Sequence, residues 1–177
     1  IERVQNIVLK YGKQSIGWDE IANAGLREGT VVQHWANIEN AKKAVKQGAR
    51  LLMSPAVKAY IDMKYNKSTK LGLHWAAYIE VDEAYNWDPA SLVPGLGKEH
   101  IVGVEAPLWT ETLTNIDEIE YMVFPRLPGI AEIGWTDVAS RNWDEYKIRL
   151  GKHGERFEAM GIDYYKSPLV DWTVLNK

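Results

Sequence analysis

Short apolar runs that alternate with helical or polar stretches constrain the fold of this chain more than any other feature. The runs are SIGW at 15–18, VVQHW at 31–35, RLLMS at 50–54 and IVGVEAPLW at 101–109. Apolar runs of this length are typical of strands buried on both faces, and helices between them indicate parallel pairing. The sequence therefore predicts an α/β fold with about four parallel strands joined by helices.

Between and after these runs, apolar residues recur with the spacing of an α-helix. Helices are predicted over 2–11, 37–48, 114–124, 128–135 and 143–160, with a short helical turn after Trp18 and a helical segment near 56–64. Asn37 and Gly48 suit the two ends of the second helix. The interval 65–100 contains Gly and Pro but also several aromatic residues. It therefore predicts an elaborated loop over the strand ends rather than a disordered linker.

The composition excludes several classes of function. The net charge of −3 is spread over mixed signs, so no surface for nucleic acid is expected. The chain has no cysteine and no apolar run of membrane-spanning length, so neither thiolate chemistry nor membrane insertion is expected. The histidines lack the spacing of metal ligands, so we expect no metal and no cofactor. Any export signal of a secreted or cell-surface protein would lie upstream of Ile1.

Tryptophan is unusually frequent, because the chain has eight tryptophans but only two phenylalanines. Trp18, Trp35 and Trp109 each end one of the apolar runs. Chemistry in parallel α/β folds collects at the carboxyl ends of the strands. If the strands are neighbours, the three rings can wall an apolar pocket. The alternative is that the three tryptophans are core residues that close the end of the strand layer and bind no ligand.

Two pairs of residues with a spacing of two carry candidate polar groups. Tyr60 and Asp62 point to the same side if their segment is extended, and they diverge if it is helical. Trp109 and Glu111 place a carboxylate beside a stacking surface in the same way. A tyrosine hydroxyl can donate to a carbonyl, and an ionised carboxylate can accept from the hydroxyls of a sugar. A carbohydrate site and an ordinary amphipathic surface both fit this pattern.

Longer motifs help to distinguish a carbohydrate site from an ordinary amphipathic surface. The run GVEAPLWTETL at 103–113, followed by EIEYMVFPRLPGIAEIGWT at 118–136, resembles the last barrel strand and following helices of glycoside hydrolase family 20, the β-N-acetylhexosaminidases. The stretches GWDEI, VVQHW, SPAVKAYID and AYNWDP occur in the order that this family uses. The resemblance implies the second half of a (β/α)8 TIM-type barrel, incomplete as a single chain. Residues 1–177 would be the C-terminal part of one catalytic barrel domain, from strand five to the helices after strand eight.

The resemblance also implies an activity, a retaining exo-β-N-acetylhexosaminidase that acts by substrate-assisted catalysis. Its partners would be chitooligosaccharides or glycans that end in N-acetylglucosamine or N-acetylgalactosamine. Tyr60 would hydrogen-bond the acetamido carbonyl of the substrate and orient it as the internal nucleophile. Asp62 and Glu111 would bind the outer hydroxyls of the sugar. The walls of the pocket would be tryptophans, namely Trp18, Trp35 and Trp109, with Trp75 at the rim.

The chain departs from the family at the acid that catalysis requires. The family's acid pair lies in a motif of the form His-x-Gly-x-Asp-Glu, which does not occur in this sequence. The arginine that grips the sugar in the family's first strands is absent as well. We therefore expect the isolated chain to be inactive and its partner to be the missing N-terminal half of the barrel. The alternative is a non-catalytic sugar-binding or scaffold half-barrel that pairs with a second copy.

Asp19 and Glu20, in SIGWDEI at 15–21, look like an acid pair because they are adjacent and follow a tryptophan. They come directly after an apolar run, where carboxylates favour the first turn of a helix. We expect them to begin that helix rather than to catalyse.

Overall fold

The computed structural model describes residues 1–173, which contain helices and four short strands. The strands are β1 Ile16–Trp18, β2 Val31–His34, β3 Arg50–Met53 and β4 Ile101–Val104. The α-helices are α1 Glu2–Lys10, α2 Ile38–Lys46, α3 Ala56–Ala59, α4 Val81–Tyr85, α5 Ile116–Val123, α6 Arg126–Trp135 and α7 Trp143–Met160. None of the helices within these residues is long and apolar enough to cross a membrane.

The chain divides into two compact units. The sheet unit comprises Ile1–Pro55 and Asp88–Glu105, and the helical unit comprises Ala56–Trp87 and the described residues from Ala106 onward. The sheet unit holds all four strands, and the helical unit holds helices α3 to α7. That residues 1–177 form part of one catalytic barrel domain stays a prediction.

The sheet unit contains one four-stranded sheet in which the strands follow their order in the sequence, β1-β2-β3-β4. Every neighbouring pair is parallel, with Ile16 opposite Val31 and Val31 opposite Arg50. In β2 the successive residues Val32, Gln33 and His34 are all buried, as expected for a strand covered on both faces. The predicted fold class, about four parallel strands with helices, is therefore confirmed.

Helix α2 shows how local signals position the sheet's connections. The side chain of Asn37 accepts hydrogen bonds from the amides of Glu39 and Asn40 at 3.0 and 3.2 Å, which satisfies two of the free donors at the helix start. Gly48 follows the last turn with a φ of 82°, a left-handed conformation that favours glycine. Ala41 and Ala44 are fully buried. Both predicted helix ends are confirmed.

The fourth apolar run forms a shorter strand than predicted. Strand β4 ends at Val104, and the amide of Glu105 donates the last ladder bond to the carbonyl of Met53 at 3.0 Å. Pro107 then lacks the amide that a longer ladder would need. The expectation that Trp109 ends a strand is therefore wrong, because Trp109 lies in the irregular segment that follows β4.

The core of the helical unit is built largely from tyrosines and aliphatic residues. Tyr85 and Tyr146 stack with ring centroids 4.1 Å apart, and Gly129 lies against both rings. A β-carbon at residue 129 would come within 3.1 Å of the Tyr146 hydroxyl, so glycine allows the close approach of helix α6. The buried members of this core are Tyr65, Val81, Tyr85, Leu113, Met122, Tyr146, Leu150 and Val170.

Candidate functional site

Three aromatic residues predicted for the site lie together in the helical unit. Helix α3 ends at Ala59, and the chain then turns so that the amide of Met63 donates to the carbonyl of Tyr60 at 3.3 Å. The Tyr60 ring meets Trp75 at a centroid distance of 6.1 Å and an interplanar angle of 82°, and it meets Trp109 at 6.2 Å and 51°. Edge-on and tilted contacts of this kind are favourable for aromatic pairs. The segment after Tyr60 is thus a turn, neither the extended strand nor the helix considered from the sequence.

Burial divides these residues into a buried centre and an exposed rim. Tyr60 and Asp62 are only 4% and 1% exposed, whereas Trp75 and Trp109 are 57% and 42% exposed. Glu111 is exposed as well. Exposed indole faces beside a buried hydroxyl and a buried carboxylate form a surface that can take an amphipathic ligand. We call Tyr60, Asp62, Trp75, Trp109 and Glu111 the Tyr60 cluster.

Asp62 is the most unusual member of the Tyr60 cluster. Both of its carboxylate oxygens are buried, and neither has a hydrogen-bond partner within residues 1–173. Burial and, to a lesser extent, the charge of Glu111 raise the pKa of Asp62 to about 6 against the opposing effects of the amides of Asp62 and Trp109 and of the charge of Arg126. The Trp109 amide favours the ionised form without a hydrogen bond of normal geometry. Buried carboxylates normally have donors, so Asp62 is equipped to accept hydrogen bonds from a ligand.

The backbone around Asp62 is held by hydrogen bonds to segments distant in the sequence. The amide of Ile61 donates to the carbonyl of Pro107 at 2.9 Å. The carbonyl of Asp62 accepts from the amide of Leu73 at 3.0 Å, and the amide of Lys64 donates back to the carbonyl of Leu73 at 2.6 Å. These bonds fix the backbone on both sides of Asp62.

Gly72 permits this close approach of the two segments. It has a φ of +85°, and a β-carbon at this position would lie 2.4 Å from the Asp62 carbonyl oxygen. The same atom would lie 2.6 Å from the end of the Met122 side chain. Any other residue would therefore push the 72–73 segment away from Asp62.

A buried arginine, which sequence reasoning missed, supports the same segment. Arg126 is fully buried at the start of helix α6, and its guanidinium lies 3.9 Å above the ring of Tyr65. It donates to four backbone carbonyls, those of Ile61, Met63, Ile79 and Met122. A charged residue inside the apolar run MVFPRLPGI was the available signal, because arginine is rarely fully buried without partners.

Trp18 and Trp35 belong to the sheet unit and lie at carboxyl ends of strands, as predicted. Trp18 is the last residue of β1, and Trp35 directly follows β2. Both side chains are half-buried. Trp35 is held at two points, because its amide donates to Asp19 at 3.2 Å and its indole N–H donates to Glu20 at 3.1 Å.

Asp19 has a role that the sequence did not reveal. It begins a 3-10 helix, Asp19–Asn23, as expected for the start of a helical turn. Its buried carboxylate also accepts from the amides of Ala36 and Asn37 at 2.9 and 2.8 Å, and it pairs with Nδ1 of His34 at 3.0 Å. Burial alone would raise the pKa of Asp19, but the hydrogen bonds from His34 and from the two amides outweigh it and lower the pKa.

A metal centre finds no support in the part of the chain that the structure describes. Residues 1–173 contain no group of three or more His, Asp or Glu side chains that could hold a metal ion.

Comparison with known proteins gives the family. Residues 1–138 match the sequence model of glycosyl hydrolase family 20, catalytic domain. The chain belongs to glycosyl hydrolase family 20. The resemblance read from GVEAPLWTETL and the neighbouring motifs is thereby confirmed, and so is membership in a family of glycoside hydrolases.

Family 20 relatives match this chain over almost its whole length. The chain is 44% identical to a β-N-acetylhexosaminidase from Cellulomonas fimi over 94% of its own length. It superimposes on the family 20 β-N-acetylhexosaminidase of Streptomyces coelicolor with a TM-score of 0.92, 50% identity and coverage of 97% of the chain. A mutant β-hexosaminidase of Streptomyces plicatus in complex with its product GlcNAc gives a TM-score of 0.92, 49% identity and the same coverage.

The same comparisons show how much of a family 20 enzyme the chain represents. It spans 34% of the length of the Cellulomonas fimi relative and 36% of each Streptomyces chain. Its four parallel strands and their helices therefore correspond to part of the barrel of family 20.

Proposed function

We propose that this chain supplies sugar-binding residues of a retaining exo-β-N-acetylhexosaminidase, which hydrolyses terminal N-acetylglucosamine or N-acetylgalactosamine by substrate-assisted catalysis. The observation that carries the proposal is the buried Asp62 carboxylate, which has no donor of its own within residues 1–173 and shares a cluster with Tyr60, Trp75 and Trp109. Membership of family 20 supports the choice of sugar.

The chemistry of the Tyr60 cluster suits a terminal sugar. Sugar hydroxyls are donors, and the carboxylates of Asp62 and Glu111 are acceptors that strengthen such bonds by their charge. The exposed faces of Trp75 and Trp109 can cover the apolar C–H patches of a pyranose ring. Carboxylates that bind the outer hydroxyls of the last sugar leave no room for a further residue, which gives exo action.

In the proposed reaction Tyr60 orients the nucleophile that the substrate itself provides. Its hydroxyl hydrogen-bonds the acetamido group, whose carbonyl oxygen attacks the anomeric carbon while the bond to the leaving oxygen breaks. A glutamic acid protonates the leaving oxygen, and water then opens the oxazolinium intermediate with retention of configuration. Orientation of the reacting groups lowers the barrier because their freedom is lost on binding rather than in the transition state.

The proposal assigns the acid pair to the missing N-terminal half of the barrel. The His-x-Gly-x-Asp-Glu motif does not occur within residues 1–177. Strands β1 and β4 each pair with one neighbour in the described sheet, so the sheet can extend at both edges. We also propose that Trp18 and Trp35 contact the N-acetylhexosamine through their indole faces. The isolated chain is expected to be inactive.

The test uses the full-length protein and p-nitrophenyl N-acetylglucosaminide. Wild type should hydrolyse this substrate, and Asp62→Asn should lower kcat/KM roughly 10- to 100-fold, because hydrogen bonds to a charged group are worth about 1.5–3 kcal/mol. Asp117→Asn, at an exposed aspartate in the first turn of α5, is the matched control and should behave like wild type.

Two results would overturn the proposal. One is an Asp62→Asn enzyme with wild-type kcat/KM, and the other is turnover by the isolated 1–177 chain near that of the full-length protein. A dimer of the isolated chain that binds N-acetylglucosamine in calorimetry without hydrolysing the substrate, together with a full-length protein that is inactive, would favour the alternative of a non-catalytic half-barrel that pairs with a second copy.

A further inference from the structure

We propose that Arg126 is a positioning residue for Asp62: its guanidinium holds the backbone on both sides of this residue and supplies the buried positive charge that acts on its carboxylate. The inference rests on the proposed function, in which Asp62 accepts hydrogen bonds from sugar hydroxyls. It adds a residue that does not touch the sugar but sets the geometry and charge of one that does.

The geometry at Asp62 is the first argument. Nη2 of Arg126 donates to the carbonyl of Ile61 at 2.5 Å, and Nη1 donates to the carbonyl of Met63 at 2.7 Å. One planar group therefore binds the carbonyl of the residue before Asp62 and the carbonyl of the residue after it. A rotation of the Asp62 backbone would break at least one of these bonds.

The remaining carbonyls of this segment accept from backbone amides, so with Arg126 every carbonyl from residue 61 to residue 64 has a donor. The carbonyl of Asp62 accepts from the amide of Leu73, and the carbonyl of Lys64 accepts from the amide of Ile79 at 2.9 Å. Alternate carbonyls thus go to the guanidinium and to backbone donors. Arg126 provides the donors that a neighbouring strand would provide in a sheet.

The same guanidinium ties the segment to the rest of the helical unit. Nη1 also donates to the carbonyl of Ile79 at 3.1 Å, and Nη2 also donates to the carbonyl of Met122 at 2.7 Å. The ring of Tyr65 covers one face of the guanidinium, which limits its movement. Arg126 can therefore transmit the position of α5 to the turn that carries Asp62.

The charge of Arg126 is the second argument. Its hydrogen bonds go to carbonyls, which neutral donors could also satisfy, and a buried cation costs free energy of desolvation. The ionisable groups that act on Arg126 are Asp62, Glu80 and the neutral phenol of Tyr65, whose pKa is raised by burial, and those that act on Asp62 are Glu111 and Arg126. Glu111 disfavours ionisation of Asp62, whereas Arg126 favours it. A cation at this position partly offsets burial and the charge of Glu111, and so favours the ionised form of Asp62 that accepts hydrogen bonds.

Two substitutions in the full-length protein separate geometry from charge. Arg126→Lys keeps the charge but loses the planar fork, and Arg126→Gln loses the charge. The measurements are the dissociation constant of N-acetylglucosamine by calorimetry from pH 4.5 to 8, and the melting temperature. Arg141 provides matched controls, because it also donates to two backbone carbonyls, those of Tyr85 and Trp87, and Asp62 is not among its partners.

The variants should differ in how they bind the sugar. We expect Arg126→Lys to weaken binding roughly tenfold at all pH values, because the Asp62 carboxylate is less well placed. In addition, Arg126→Gln should raise the pH at which binding is lost on acidification by about half a pH unit. This is less than the one to three pH units typical of a directly paired Asp and Arg. This upward shift should disappear when Asp62→Asn is present. Arg141→Lys and Arg141→Gln should lower the melting temperature only.

The outcomes distinguish this inference from the proposed function. If folded Arg126→Lys binds N-acetylglucosamine like wild type, or if the Arg126 and Arg141 variants differ only in melting temperature, the positioning role is wrong. If wild type itself does not bind the sugar and Asp62→Asn changes nothing, the proposed function has failed instead. Should Arg126→Gln not fold, the dissociation constant of Arg126→Lys decides the question alone.

Discussion

Asp19 and Asp62 are both buried aspartates, yet their surroundings are opposite. Asp19, in the sheet unit, accepts hydrogen bonds from three consecutive amides, those of residues 35–37, and pairs with His34. Asp62, in the helical unit, has neither carboxylate oxygen satisfied within the described residues. The pKa of Asp19 is lowered, whereas burial raises the pKa of Asp62 to about 6. The same side chain is a structural acceptor at one position and a candidate ligand contact at the other.

The difference shows that burial alone does not identify a functional carboxylate. A carboxylate whose donors come from its own chain stabilises the fold, because it satisfies amides that would otherwise be unpaired. A carboxylate without donors lowers stability, and it persists where a ligand supplies the donors. The adjacent pair Asp19 and Glu20 looked more catalytic in the sequence, but its contacts are structural.

Removal of Asp19 should give the largest effect on stability. We expect Asp19→Ala in the full-length protein to lower the free energy of unfolding by about 3–5 kcal/mol, because it removes the acceptor of three amides and the partner of His34. Since the folded pKa of Asp19 is depressed, this stabilisation is present above pH 4 or so and is lost as the pH falls through the folded pKa. Urea unfolding of wild type and variant at several pH values measures both the loss in the free energy of unfolding and its dependence on pH. An equal loss for Asp62→Ala would remove the contrast between the two residues.

Neutralisation of Asp62 should act in the opposite direction. Its folded pKa of about 6 lies above its ordinary value of 3.8, so the folded state binds the proton more tightly and stability falls as the pH rises between these values. Asp62→Asn should therefore raise the free energy of unfolding by about 1–3 kcal/mol at pH 8, with the gain vanishing near pH 4. Urea unfolding of both proteins at the two pH values tests the sign. A destabilised Asp62→Asn at pH 8 would mean that the carboxylate has donors after all.

Structural features that depend on residues close together in the sequence could be predicted. The four parallel strands follow from four apolar runs, and the ends of α2 follow from Asn37 and Gly48. Strand ends were less predictable, because β4 stops at Val104 although the apolar run continues to Trp109. Periodicity reports which residues are apolar and does not report where the ladder of hydrogen bonds stops.

Features that depend on distant segments could not be predicted. The amides bound by Asp19 lie 16 to 18 residues further along the chain, and two of the carbonyls bound by Arg126 lie 63 and 65 residues before it. Nothing in the local pattern of either residue specifies which backbone will return to it. The members of the Tyr60 cluster were named from motifs; the structure brings Tyr60 into contact with Trp75 and Trp109, and their roles at a sugar site stay a prediction.

Substitutions at Tyr60 and Glu111 sharpen the contrast within the Tyr60 cluster. Tyr60→Phe should lower kcat roughly 10- to 100-fold with little change in KM, because its hydroxyl is proposed to orient the nucleophile. Glu111→Gln should lower kcat and also raise KM, because a hydroxyl contact serves both the bound substrate and the transition state. Initial rates of the full-length enzyme over a range of substrate concentrations separate the two patterns. The reverse assignment of the two patterns would contradict the proposed roles.

Glu20 should give the smallest effect and tests the structural side of the comparison. Its carboxylate accepts the indole N–H of Trp35 at 3.1 Å in an exposed position, so Glu20→Gln keeps an oxygen acceptor and loses only charge. We expect a loss of at most about 1 kcal/mol in the free energy of unfolding and a rise in KM of no more than a few-fold. Glu28→Gln, at an exposed glutamate of the same unit, controls for the change in net charge. A loss of kcat by several orders of magnitude in Glu20→Gln alone would show that the Asp19–Glu20 pair is catalytic and that its contacts with Trp35 are incidental.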